Sequence, residues 1–281
     1  MLTDGTYLTK PANKEISIRH LLTHTSGIGY GEIDDDSRIK KIYKDAGIID
    51  LFTTKKMTIA ANIKKLAALP LHHNPGEKFT YSLSYDVLGY FIEILSGMPF
   101  DTYLKTRIFE PLEMTNTAFY LPTSKEDRLV AVQTNAAGKW TNYPTTFYDP
   151  NYPITGAKQF FSGGAGLSST AEDYAKFLQM YLNKGELNGI RLLSRTTIKV
   201  IMANQTGTLF PFNPESFFYG LAFAVTSKKG EGAGGNGSLG TFRWGGYFNT
   251  FYFADPKEQI IGILLKQTRN IKKDHTDWKF S

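Results

Sequence analysis

The sequence contains no cysteine, which excludes disulfides, zinc ribbons, iron–sulfur clusters and a thiol nucleophile. No apolar run approaches the roughly 18 residues that a membrane span needs. The opening residues, Met1-Leu2-Thr3-Asp4-Gly5-Thr6, lack the charged stretch followed by an apolar one that marks a signal peptide. There is no internal repeat at solenoid or propeller periods and no G-x-S-x-G nucleophile elbow. Glycine (26) and proline (12) are ordinary in number, which excludes collagen-like and low-complexity chains. What is present is a globular composition, 41% hydrophobic and 14% aromatic over 281 residues, enough to exclude disorder and to fill one large core or two intimate ones.

The net charge is +6, from 32 basic and 26 acidic residues. The basic residues come as scattered doublets, Lys40-Lys41, Lys55-Lys56, Lys64-Lys65, Lys228-Lys229 and Lys272-Lys273, with acids between them. A nucleic-acid binder concentrates its charge on one face or arm, so this pattern reads as a solvated surface and no nucleic-acid partner is expected.

Helical signals dominate the first two thirds. Ser17 caps a short helix from Ile18, and residues 58–69 keep a helical period up to Pro70. Residues 84–96 do the same ahead of Gly97, a C-terminal glycine cap. Pro99 opens a helix through about Phe109, Ser169-Thr170-Ala171-Glu172 forms a capping-box pattern, and Ser194 caps another helix. The stretch 121–160 reads as long ordered loop. Beyond it, residues 219–226, 240–247, 250–255 and 259–266 are short, β-branched or aromatic, and separated by turn residues. Helices followed by antiparallel strands predict an α+β fold, a single domain whose residues 16–200 are mostly helix and loop and whose residues 217–267 form the sheet.

Several motifs reduce to ordinary structure. Gly232–Gly237 matches G-x-G-x-x-G but is followed by strand-like residues, where a helix N-terminus would be needed to meet a pyrophosphate. His20 and His24 are four apart, yet Leu21 stands where a zinc protease needs glutamate; no metal site and no cofactor are expected. His72 and His73 precede a turn and read as structural. S-x-x-K occurs once, as Ser37-Arg38-Ile39-Lys40, in a charged segment. A serine and a lysine three apart share a helical face, but the lysine must be buried to take the hydroxyl proton, so this copy reads as a polar loop or helix start.

Four segments in order carry a resemblance: ISIRHLLTHTSGIGY (16–30), PGEKFTYSLSYDVLGYF (75–91), GGAGLSSTAEDYAKFLQMYLNKGELNGIRLL (163–193) and FRWGGYFNTFYFADP (242–256). Together they resemble the serine β-lactamase-like hydrolases, a group of class C β-lactamases, DD-peptidases and related carboxylesterases and acyltransferases. The resemblance implies a β-lactamase/transpeptidase-like fold: an antiparallel sheet flanked by helices, plus a helical region. It also implies a Ser-Lys-Tyr mechanism, with Tyr81 of Tyr81-Ser82-Leu83 as general base or proton relay. Leu83 replaces the family's asparagine, which donates to the amide side chain of a lactam. Trp244-Gly245-Gly246 stands where the family has Lys-Thr-Gly or His-Thr-Gly, so the cation for a substrate carboxylate is replaced by an aromatic wall. That exchange points to the esterase branch and to small neutral esters or acyl groups, with Tyr30, Trp244, Gly245, Gly246 and Tyr247 binding substrate. The backbone N–H of Tyr247 would serve as oxyanion donor.

The family places its S-x-x-K on a helix well upstream of the HLLTHTSG segment, and no such motif precedes residue 16. The resemblance therefore implies that the sequence lacks the N-terminal strands and the nucleophile helix. It also implies that this polypeptide alone lacks ordinary acyl-transfer activity. The tail from Ile271 to Ser281 carries little apolar stripe where the family usually packs a helix on the sheet. The alternatives are a non-catalytic, ligand- or partner-binding relative of the same fold, or a hydrolase of β-lactams or D-Ala peptides. Compartment and oligomeric state are not legible.

Overall fold

The computed structural model describes residues 7–271. The readings made of Met1–Thr6, of Lys272-Lys273 and of most of the tail lie outside the described residues. The chain forms two compact units. The first runs up to Phe100 and includes Ala157–Gly166; the second comprises Asp101–Gly156 and the chain from Leu167 onward.

The first unit is built on short helices. α1 (Ile18–Leu22) starts at Ser17, whose hydroxyl accepts from the N–H of His20 while His20 Nδ1 accepts from the N–H of Ser17, a reciprocal cap. α2 (Ser37–Asp45) starts at Asp36, whose carboxylate accepts from the N–H of Arg38 at 2.8 Å. It buries Ile39, Ile42 and Tyr43. Ser37 and Lys40 are exposed, so the only S-x-x-K is the polar start of a helix. α3 (Ile59–Leu66) is capped by Thr58. α4 (Ser84–Ser96) ends on Gly97 in the left-handed conformation (φ 68°), as its sequence predicts.

The chain passes into the second unit through α5 (Phe100–Leu104). The helix then widens by one residue, the N–H of Glu110 reaching back to the carbonyl of Lys105 at 2.9 Å. The 121–160 stretch is less loop-like than its composition suggests. It holds a hairpin, β1 (Gln133–Ala136) with β2 (Lys139–Asn142), and a turn of helix, α6 (Tyr152–Thr155). The hairpin turns on Ala137 and Gly138, both at positive φ, and an Ala-Gly turn lacks the Asn-Gly or Asp-Gly signature of such connections.

α7 (Ala171–Leu182) is capped by Thr170 and followed by the small hairpin of β3 (Glu186–Leu187) and β4 (Ile190–Arg191), then by α8 (Arg195–Met202), capped by Ser194. Next comes an antiparallel five-stranded sheet in sequential order: β5 (Phe217–Tyr219), β6 (Ala224–Thr226), β7 (Phe242–Gly245), β8 (Thr250–Asp255) and β9 (Ile260–Leu265). The expected strand 219–226 is in fact a β5–β6 hairpin, with Ala222 at φ 84° and the N–H of Gly220 bonded to the carbonyl of Phe223; Gly220–Phe223 carries no standard turn signature. One face of the sheet packs on α7. Leu178 and Leu182 meet Phe223, Val225, Phe242 and Ala254, with Tyr252, Ile261 and Ile263 completing the layer. Tyr252 and Ala254, like Ile261 and Ile263, are two apart, the strand period that puts both on one side.

Candidate active site

In the first unit the site is built around Tyr81, just before α4. The two residues flanking it are both bonded to His24. The N–H of Thr80 donates to the His24 carbonyl (2.8 Å), and Ser82 Oγ lies 3.0 Å from His24 Nδ1. Thr80 is held a second time by His73 Nε2, 2.9 Å from its hydroxyl. The imidazole of His24 is also in ring contact with Tyr81 (centroids 4.6 Å) and Tyr85 (4.7 Å). His24 is fully buried and sits at φ 53°, a conformation a non-glycine residue keeps only when its surroundings hold it there. Burial drives its pKa down to about 3, so the imidazole is neutral at physiological pH. From His24 a buried file of hydroxyls runs Ser82–Ser84–Ser26, at 2.7 and 2.9 Å.

Tyr30 stacks on Tyr81, its ring centroid 5.4 Å away. Buried side chains fix the Tyr30 segment through its backbone. The N–H of Gly29 donates to the Tyr43 hydroxyl (3.1 Å), that of Tyr30 to Asp34 Oδ2 (2.8 Å), and that of Gly31 to Asp50 Oδ2 (3.0 Å). His72 Nε2 closes on Asp34 at 2.9 Å. Tyr30 itself is only 2% exposed, so its large contact is with Tyr81.

Behind this lies Asp86, in the first turn of α4 and fully buried. One carboxyl oxygen accepts from Ser162 Oγ (2.8 Å) and from the N–H of Gly164 (3.3 Å). The other has no partner among the described residues. Burial raises the Asp86 pKa to about 7. Gly163 fits tightly here because a Cβ would collide with the carbonyl of Tyr85. None of Asp34, Asp50, Asp86 or Ser162 stands out in the sequence. A single acid in an apolar helix start carries no periodic signal, and Ser162 is far from Asp86 along the chain.

In the second unit, Trp244 is the last residue but one of β7, two residues past Phe242. Its ring meets Tyr219 (5.3 Å) and Phe210 (6.5 Å). Gly245 and Gly246 are exposed. The N–H of Gly246 donates to the Thr250 carbonyl (2.8 Å) and the N–H of Asn249 to the Gly246 carbonyl (3.0 Å), a tight turn into β8. A side chain at Gly246 would strike Thr250 Oγ1. Tyr247, within this turn, packs against Tyr148 (5.2 Å) and Phe248 (5.1 Å). An exposed glycine pair beside a fixed aromatic lets a ligand approach backbone closely while one wall stays apolar.

The helices and the five-stranded antiparallel sheet are those of the β-lactamase/transpeptidase-like fold, as the family match and the structural superposition show. Residues 5–280 match the family model described as Beta-lactamase, and the chain belongs to that family. It is 31% identical over 268 residues to Protein Rv1367c of Mycobacterium tuberculosis (strain ATCC 25618 / H37Rv), a match covering 92% of this chain and 64% of the relative. It is 26% identical over 272 residues to Esterase EstB of Burkholderia gladioli, covering 90% of this chain and 65% of that protein. The chain thus spans about two thirds of the length of these relatives. Among solved structures it superposes on EstCE1, a hydrolase with promiscuous acyltransferase activity, with a TM-score of 0.79 and 26% identity, covering 94% of this chain and 70% of EstCE1. No helix among the described residues is long and apolar enough to cross a membrane.

Proposed function

We propose that the chain carries the tyrosine and the third-motif strand of a serine hydrolase that acts on small esters, with Tyr81 as general base or proton relay. The observation that carries this is the immobilised phenol: Tyr81 is in ring contact with both Tyr30 and the neutral imidazole of His24, and both of its neighbours in sequence are hydrogen-bonded to His24. A proton-transfer group needs such positioning to act within hydrogen-bond reach of its partner. A phenol with an ordinary pKa near 10 also needs a nearby cation to serve as base at neutral pH, the role the family's S-x-x-K lysine fills. Trp244, Gly245, Gly246 and Tyr247 bind substrate, and the Tyr247 N–H stabilises the oxyanion. Kinship with Esterase EstB and EstCE1 supports the ester reading, as does Trp244 in place of a cation.

Ser37 and Lys40, exposed on α2, lack the burial that would activate such a pair, so the polypeptide on its own performs no acyl transfer. A fluorophosphonate is expected to leave its mass unchanged. In a chain lengthened by an in-frame upstream S-x-x-K, the same reagent adds one label and p-nitrophenyl butyrate is turned over faster than a chromogenic cephalosporin. There Tyr81→Phe lowers kcat by about 10²–10⁴ while labelling stoichiometry at saturation persists. Stoichiometric labelling of any serine in the present chain, or undiminished turnover by the Tyr81→Phe variant, overturns the reading.

A further inference from the structure

Arg269, just beyond β9, is held in place by its backbone. Its N–H donates to the Gln133 carbonyl (2.9 Å), and the N–H of the preceding Thr268 donates to the Phe248 carbonyl (3.0 Å). Asn249 Nδ2 also donates to Thr268 Oγ1 at 3.1 Å. Its guanidinium lies over the ring of Tyr247, 3.9 Å from the centroid, and Nη1 donates to the Tyr247 carbonyl at 3.3 Å.

Among the described residues, Arg269 forms no ion pair, and its side-chain hydrogen bonds go to Tyr247 alone, through the carbonyl and the phenol. The other half-buried guanidinium of this unit, Arg243, is differently placed: it donates to the carbonyls of Gly235 and Asn236 and has the Asp255 carboxylate nearby. A guanidinium carries five N–H donors in a planar fork matched to a carboxylate. In Arg269, Tyr247 claims only part of that fork. The charge sits against the residue that follows Gly246, on the segment proposed to bind substrate.

We propose that Arg269 is an anion-recognising residue and that the esters bound here carry a carboxylate, in the manner of a monoester of a small dicarboxylic acid. This rests on the substrate-binding role given above to Trp244–Tyr247 and narrows its substrate class. Trp244 removes a cation from the third motif, and Arg269 returns one from a different strand end. The neutral, apolar class expected from Trp244 alone thereby becomes an ester with one apolar and one anionic end, the aromatic wall meeting the first and the fork the second.

The test is a nuclear magnetic resonance titration of the full chain at pH 7 with monomethyl glutarate and, separately, dimethyl glutarate. The indole N–H of Trp244 is assigned with Trp244→Phe and the Nε–H of Arg269 with Arg269→Gln. The monoester anion is expected to shift both signals and to half-saturate at a concentration at least about tenfold below the diester. In Arg269→Gln that preference disappears while the Trp244 shift with the diester persists, and Arg269→Lys recovers part of the preference. A residue that only clamped Tyr247 would weaken both ligands equally when replaced. Equal half-saturation of the two ligands in the parent chain, or an Arg269 signal unmoved by the monoester, overturns the inference while leaving the ester reading standing. A Trp244 signal moved by neither ligand overturns both.

Discussion

The first unit buries a histidine, serines and carboxylates (His24, Ser26, Ser82, Ser84, Asp34, Asp50 and Asp86) around one phenol, whereas the second buries Leu178, Leu182, Phe223, Val225, Phe242 and Ala254 between a helix and a sheet. Burying polar groups gains little net stability even when each is paired, and costs heavily when one is not. Burying aliphatic and aromatic groups is the main favourable term in folding. The first unit thus adds to an apolar interior that includes Ile39, Ile42, Ile49, Ile59, Ile63 and Leu66 a polar cluster that holds the Tyr30 and Tyr81 segments, whereas the second centres on an apolar layer under a sheet whose strand β7 carries Trp244. The difference should appear in how each responds to substitution and to pH. It can be read separately, because the three tryptophans, Trp140, Trp244 and Trp278, all come after Asp101 in the sequence.

The largest effect belongs to the sheet core. Phe242 is 2% exposed and meets Phe223 at 5.1 Å and Tyr181 at 5.8 Å. Phe242→Ala is expected to cost about 3–5 kcal/mol, measured by urea unfolding followed through tryptophan fluorescence, with little dependence on pH between 5 and 8. A loss below about 1 kcal/mol would mean that the second unit does not depend on its apolar layer, and the contrast between the units would fail.

Asp86 should give the next largest effect, and it depends on pH. Its carboxyl holds a proton up to about pH 7 in the fold, against 3.8 for an ordinary aspartate. Between these values the folded chain keeps a proton that the unfolded chain has lost, so stability falls as pH rises and the full penalty is present above about 7. Asp86→Asn removes that titration. The first unit's stability at pH 8 relative to pH 5 is therefore expected to rise by about 3 kcal/mol in the variant, read by amide hydrogen exchange in α4.

His24 works in the opposite direction. Its pKa falls from 6.5 to about 3 on folding, so stability is fully present above about 6.5 and is lost as pH falls toward 3. His24→Asn keeps a polar atom near Ser82 and a residue type that tolerates positive φ. With the Asp86 titration left in place, it should raise stability at pH 5 relative to pH 6.5 by about 2 kcal/mol. The two titrations offset each other between about pH 3.8 and 6.5, so each variant alone should unmask the other group's limb, and the double variant should again be nearly indifferent to pH. If either limb survives its substitution, the buried polar network is not the source of the pH dependence.

Much of this fold was legible in local chemistry. α4 ends on Gly97 and α8 begins on Ser194 as their sequences say, and α7 begins one residue later than the Ser169-x-x-Glu172 pattern places it, on Thr170, because a cap acts within one helical turn. β7, β8 and β9 follow from short aromatic and β-branched runs. The hairpins at Ala137-Gly138 and Gly220–Phe223 were not legible, since Ala137 and Ala222 take positive φ there although alanine does not favour it. At the candidate site, Tyr81 and Trp244 are singled out by motif. His24, however, read as one half of a histidine pair four residues apart. In the fold His20 caps α1, and His24 turns inward to Ser82, 58 residues away. A partner so distant leaves no trace in spacing, and Asp34 with His72, Asp86 with Ser162, and Arg269 with Tyr247 were hidden for the same reason.

The two units should cease to differ at their helix caps. Thr58 begins α3 in the first unit, its hydroxyl accepting from the N–H of Ala61 at 3.2 Å; Ser194 begins α8 in the second, accepting from the N–H of Thr197 at 2.9 Å. Each bond satisfies one of the orphan donors of a helix N-terminus, is local, and involves no titrating group. Thr58→Ala and Ser194→Ala are each expected to cost about 1 kcal/mol at both pH 5 and pH 8, read by hydrogen exchange in the first turns of α3 and α8. A cap that proved several-fold more costly in one unit would place the contrast in helix stability itself. Equal and pH-independent losses would leave the composition of the two interiors as its origin.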